Sequence, residues 1–136
     1  HRDLHSFPTR RSSDLMKSWI IFGALLAALA VLLGAFGAHG LKGKISPEDL
    51  TIFETGVRYH MYHALGLILI SVLGLYYYPE MIQLPAIFLS VGILLFSGSL
   101  YILVLTGLRW MGAITPLGGV AFIAGWLLLA YRMIKV

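Results

Sequence analysis

The segment Ser18–Leu41, SWIIFGALLAALAVLLGAFGAHGL, holds no Asp, Glu, Lys or Arg. An ionised side chain at the centre of a bilayer costs at least about 2.5 kcal/mol. A charge-free run of this length therefore marks a membrane span, for which about 20 residues suffice. Three more charge-free windows follow: Tyr59–Pro79, Met81–Leu108 and Trp110–Tyr131. Lipid offers the backbone no hydrogen-bond partners, so each span must be a helix; a barrel strand would alternate in polarity and be about half as long. The expectation is an all-α, four-span antiparallel transmembrane helix bundle. Its spans lie at about 18–38, 59–78, 82–107 and 112–131, with an interfacial helix start at about 47–58.

Composition agrees. Of 136 residues 59% are hydrophobic and 12% charged, and the mean hydropathy is +0.87. A soluble domain carries about 25% charge, so this chain has too little polar surface to cover itself in water. An ordinary soluble enzyme, a disordered tail and a disulfide-stapled module are excluded. The net charge of +4 comes from basic residues at helix ends rather than on one face, which gives no support to nucleic-acid binding. The absence of cysteine rules out thiolate metal sites.

Residues 1–15 (HRDLHSFPTRRSSDL) differ from the rest: three arginines, two aspartates and no apolar run. They lack the apolar stretch and cleavage site of a secretory signal. Read back as codons, all fifteen agree with a translated sequencing adapter, so Met16 is expected as the natural start and residues 16–136 as the membrane domain. Without the leader the net charge is +3, because it holds three of the ten basic and two of the six acidic residues.

The connections are short, which makes sequential spans antiparallel neighbours. Tyr76-Tyr77-Tyr78-Pro79 is an aromatic belt ending in a helix breaker, and Gly107-Leu108-Arg109-Trp110 joins the last two spans. Ser46-Pro47-Glu48-Asp49 reads as N-cap, N1 proline and first-turn acids. A helix from there to Tyr77 would be about 46 Å long, beyond the roughly 30 Å hydrocarbon core, so its first turns must enter the interface unless it breaks near Gly56. Both termini lie on one side, with Lys17, Arg132 and Lys135 against Lys42, Lys44, Arg58 and Arg109 on the other. That balance does not decide orientation; terminal charges tight against the spans favour cytoplasmic termini, in a bacterial inner membrane.

Gly23, Ala27, Ala30, Gly34 and Gly37 form a stripe of minimal side chains along span one, and Gly118, Ala121 and Gly125 a shorter one on span four. Helices associate in lipid by close backbone approach. The stripes read either as packing within the bundle or as a homo-oligomer seam.

Polar residues gather at the end opposite the termini, His60 among them, and ten are expected to line a pocket there: His39, Glu54, Arg58, Tyr59, His63, Ser97, Ser99, Tyr101, Arg109 and Thr115. By helical rise Tyr101 lies about 12 Å inside from Arg109 and Ser97 about 18 Å. The opposite half offers mainly Ser71, Gln83 and Ser90. Glu54 and Arg58 are spaced i,i+4 in the favourable order for an ion pair, either a structural clasp or part of a site. Ser97, Ser99 and Tyr101 read as interhelical glue or as pocket lining. His39, His60 and His63 lack a metal-site spacing such as HExxH. A hydrolase built from Ser97, His63 and Glu54 lacks a GxSxG elbow. Neither a cofactor nor a catalytic role is expected.

The blocks Gly34-Ala-Phe-Gly-Ala-His-Gly40, Phe53-Glu-Thr-Gly-Val-Arg-Tyr-His-Met-Tyr-His-Ala64, Leu95-Phe-Ser-Gly-Ser-Leu-Tyr101 and Gly112-Ala-Ile-Thr-Pro-Leu-Gly-Gly119, with Gly125-Trp126, resemble the domain of unknown function 423 family. These are YwdK/YgdD-like small bacterial membrane proteins, similar to the eukaryotic transmembrane protein 256. The resemblance spans Met16–Val136 in order and has no counterpart for the leader. At His60 it implies an amide such as glutamine, a departure that weakens a two-histidine metal site. It implies a multi-pass membrane protein and no particular chemistry. The functional expectation is a non-enzymatic binding or accessory protein whose polar end meets membrane lipid, a small solute or a partner; the alternatives are a subunit of an oligomeric transporter or channel, or an intramembrane metal protein or enzyme.

Overall fold

The computed structural model describes residues 10–136. The chain forms α1 (Arg10–Phe36), ending in a π-helical turn Gly37–Leu41; α2 (Pro47–Tyr76); a third rod of α3 (Pro79–Gly92), a π-helical turn Ile93–Ser97 and α4 (Gly98–Thr106); a 3₁₀ turn Arg109–Ala113; and α5 (Thr115–Ile134). Four rods are long and apolar enough to cross a membrane: Arg10–Leu41, Pro47–Tyr76, Pro79–Thr106 and Arg109–Ile134. They overrun the expected spans at most ends, because a helix stops at its caps and not at the hydrocarbon boundary. The proposed leader lies partly outside the described residues; its last six continue α1 without a break into Met16.

The caps follow local chemistry. Ser46 Oγ accepts from the Asp49 backbone N–H at 3.1 Å, with Pro47 as the first helical residue. α4 stops where Gly107 takes a left-handed conformation (φ 75°) and its N–H reaches the Leu103 carbonyl at 2.8 Å. α2 does not break at Gly56.

The rods pack as a rhomb. α2 and the α3–α4 rod form the inner pair, α1 leans on α2, and α5 leans on α3 and the π turn beside it. In the inner rods 44% of the central residues are buried, against 17% and 22% in the outer ones. Small residues set these seams. A Cβ on Gly23 would stand 2.8 Å from Ile68 Cγ1 and 3.0 Å from the Ala64 carbonyl oxygen, and one on Gly37 would stand 3.0 Å from the Phe53 ring. The span-one stripe is therefore occupied by the chain's own α2. Gly118 lets α5 approach until only the Phe96 backbone lies beyond it, and Gly125 packs on Leu89 and Phe88. Between α1 and α3, Trp19 Nε1 donates to Gln83 Oε1 at 2.8 Å.

Candidate functional site

A rhomb has two long furrows, and this one fills only one of them. Between α2 and α5, His63 lies flat on Phe122 (ring centroids 3.5 Å apart, 7° between planes). Tyr59 and Phe96 extend the stack, and Trp126 covers Gly66. Between α1 and the α3–α4 rod a cavity of about 460 Å³ stays open. Phe22, Leu26, Leu29 and Leu33 form one wall; Val91, Leu94 and Gly98 form the other; His60 and Tyr101 close the floor.

Two helical pairs build that floor. Gly56 and His60 lie one turn apart on α2, as do Ser97 and Tyr101 on the third rod. Gly56 lacks a side chain, so the Tyr101 ring rests on it; a Cβ there would stand 3.0 Å from Tyr101 Cε1. The phenol thereby brings its hydroxyl to 2.9 Å from His60 Nδ1. Ser97 Oγ donates to the Gly56 carbonyl at 2.7 Å, from the π turn that re-aims it. Such turns recur where a helix must present a side chain out of register. His60 is 2% exposed, yet its Nε2 has no hydrogen-bond partner among the described residues. The Leu26 backbone on α1 lies close enough to influence the ring, but it makes no hydrogen bond with Nε2. A buried polar atom left in that state costs about 1–3 kcal/mol.

Ser99 Oγ and Thr115 Oγ1 bond across α4 and α5 at 2.6 Å. His63 Nδ1–H donates to the Tyr59 carbonyl of its own helix at 2.8 Å. His39 is exposed on the π turn after α1. The i,i+4 ion pair expected from Glu54 and Arg58 is not formed: both are exposed, and Arg58 Nη2 donates to Thr55 Oγ1 at 3.1 Å instead. The acid that is clamped is Asp49, which receives both Nη groups of Arg109 at 3.0 Å. A charge anchored on the neighbouring loop offers a two-pronged geometry that a side chain on the same helix cannot.

Ser97, His63 and Glu54 each bond elsewhere or face outward, so they make no triad geometry. Among the described residues no three of His, Cys, Asp and Glu come together as metal ligands; His39, His60 and His63 lie in three different settings. Of the ten residues expected in a polar pocket, Tyr101 alone lines the open cavity. The residue that sequence reasoning left off that set is His60, weighed only as one of three histidines. Its signal was the matched pair of one-turn spacings, Gly56/His60 and Ser97/Tyr101.

The model of a family described as "Protein of unknown function (DUF423)" matches residues 33–119. The chain is 50% identical to the UPF0382 membrane protein YwdK of Bacillus subtilis, over 88% of this chain and 98% of that protein. It is 49% identical to the UPF0382 membrane protein SH2409 of Staphylococcus haemolyticus, with the same shares covered. A third relative, the UPF0382 membrane protein SSP2132 of Staphylococcus saprophyticus, is 49% identical over 89% of this chain and all of that protein. No solved structure matches the chain. With four membrane-length helices and relatives of matching length throughout, the chain is a membrane protein and belongs to the DUF423 family.

Proposed function

We propose that the protein is a non-enzymatic binding protein of the bacterial cytoplasmic membrane, and that the open furrow between α1 and the α3–α4 rod is its binding site. One observation carries this reading: the buried His60, whose Nε2 has no hydrogen-bond partner among the described residues, is one of the residues that line a cavity of about 460 Å³. A ligand group bonded there would recover a hydrogen bond that the protein alone leaves unmade. The polar half of the bundle serves as the frame of that site. Ser97, Ser99, Thr115 and His63 bond to protein groups, which supports a scaffold role for them rather than a reactive one.

The test is native mass spectrometry of protein extracted in mild detergent. A small molecule of membrane origin is expected to stay bound to the wild type, to be recovered unaltered, and to be retained at lower occupancy by His60→Leu. Equal occupancy in both samples, or chemical conversion of the molecule during incubation, would overturn the reading.

The termini are proposed to be cytoplasmic, supported by Lys17, Arg132 and Lys135 close to the ends of the spans. The chain has no cysteine, so Lys42→Cys and Lys135→Cys each introduce one label site. A membrane-impermeant maleimide should modify the first in intact cells and the second only after lysis; the reverse pattern inverts the assignment.

A further inference from the structure

We infer that the furrow takes an uncharged amphiphile: an apolar chain lies between α1 and α3, and a hydroxyl or carbonyl head bonds to His60 Nε2. This rests on the furrow being the binding site and adds the chemistry of its occupant.

The walls dictate the chain. Apart from Ser90, whose hydroxyl bonds back to the Ala86 carbonyl, they are aliphatic and aromatic, and among the described residues no Asp, Glu, Lys or Arg lines the cavity. Leu94 is 70% exposed at its mouth, so in the membrane the furrow opens sideways into lipid. Phe22 also borders a second hollow of about 350 Å³, lined by Trp19 and Gln83. From Leu33 to Trp19 the length is about 21 Å, more than the roughly 15 Å of one leaflet's hydrocarbon.

The floor dictates the head. An ionised group brought to His60 would be desolvated with no counter-charge beside it, a cost that only pairing offsets. A neutral group meets no such penalty. The His60–Tyr101 pair can serve either kind of neutral partner. When the Tyr101 hydroxyl donates to Nδ1, Nε2 carries the proton and donates to a carbonyl; when Nδ1–H donates to the hydroxyl, Nε2 accepts from an alcohol. Depth fits as well. His60 lies sixteen residues from Tyr76, about 24 Å along α2. If the tyrosine belt marks one edge of the roughly 30 Å hydrocarbon, His60 sits about one helical turn below the other. A head held there leaves its chain pointing toward the belt, along the furrow.

The probes are chain-brominated octadecan-1-ol, methyl octadecanoate and octadecanoate, titrated into full-length protein in neutral detergent at alkaline pH. Bromine quenches tryptophan fluorescence at contact, and Trp19 borders the hollow next to the furrow, on the other side of Phe22. Two variants accompany the wild type. Gly98→Leu fills the cavity from a position where a Cβ meets only Leu94 Cδ1 at 3.9 Å, and His60→Gln keeps a hydrogen-bonding group where His60→Leu does not. Alcohol and ester are expected to quench saturably and to bind at least about tenfold more tightly than the carboxylate, as one unmatched buried charge demands. Gly98→Leu should abolish the saturable part, and His60→Leu should weaken binding up to about tenfold with recovery in His60→Gln. Equal binding of the carboxylate overturns the uncharged head and leaves the furrow as a site. No saturable quenching, or quenching that survives Gly98→Leu, overturns both.

Discussion

His63 and Phe122 lie face to face at 3.5 Å, while His60, three residues earlier on α2, meets Tyr101 instead. Two imidazoles three residues apart thus serve different ends: one fills a furrow and the other floors an open one. His63→Phe is expected to preserve the fold and ligand retention, because shape matters there more than the bond to its own helix. His63→Ala, which opens a cavity, should lower unfolding stability in micelles by about 2–5 kcal/mol. Chemical unfolding followed by circular dichroism checks both.

At the α4–α5 seam, Gly118 has the Phe96 backbone where a side chain would go, whereas a Cβ on Gly119 would meet only Phe96 Cδ2 at 3.9 Å. Gly118→Ala should destabilise by about 1–3 kcal/mol, the range for overpacking. Gly119→Ala should be close to neutral. Thermal unfolding of the two proteins side by side separates backbone approach from helix propensity, which favours alanine at both positions.

Ser97 and Ser90 offer a second contrast. Ser97 bonds across the inner pair to the Gly56 carbonyl, while Ser90 bonds back to the Ala86 carbonyl of its own helix at 2.8 Å. Ser97→Ala should cost about 0.6–1.7 kcal/mol, as interhelical bonds in membranes do. Ser90→Ala should change stability by a few tenths at most, since back-bonding of this kind adds little to a helix.

The Asp49–Arg109 clamp ties the first turn of α2 to the loop before α5, and Arg109 is 62% exposed. Asp49→Asn and Arg109→Gln should each speed proteolysis of the loops. The difference from wild type should shrink as salt is added, because exposed pairs are screened. Glu54→Gln, in a side chain that takes no part in the clamp, should leave the cleavage rate unchanged.

The four rods, the capped start of α2 at Ser46-Pro47 and the small-residue stripes were legible from spacing and charge alone, because membrane insertion penalises each ionised group where it stands. Pairings between distant positions were not. Glu54 and Arg58 satisfy a local rule, yet Arg109, sixty residues from Asp49, forms the ion pair found among the described residues. Local spacing says which partners are near, and only the fold says which geometry is better. Trp19 and Gln83 were likewise unremarkable until α1 and α3 came side by side. The open furrow escaped because its walls are mostly ordinary leucines, with one phenylalanine, a valine and an isoleucine. What distinguishes them is the absence of a fifth element between α1 and α3, which no single residue encodes.

The two outer rods of the rhomb lean on different inner partners, which has a consequence for biogenesis. Each half of the chain is a helical hairpin with its own glycine-lined joint, α1 with α2 and α3–α4 with α5. The first hairpin can zip together while the ribosome is still translating the second. A gene severed between the codons for Tyr77 and Tyr78 should then yield two polypeptides that recombine within one membrane.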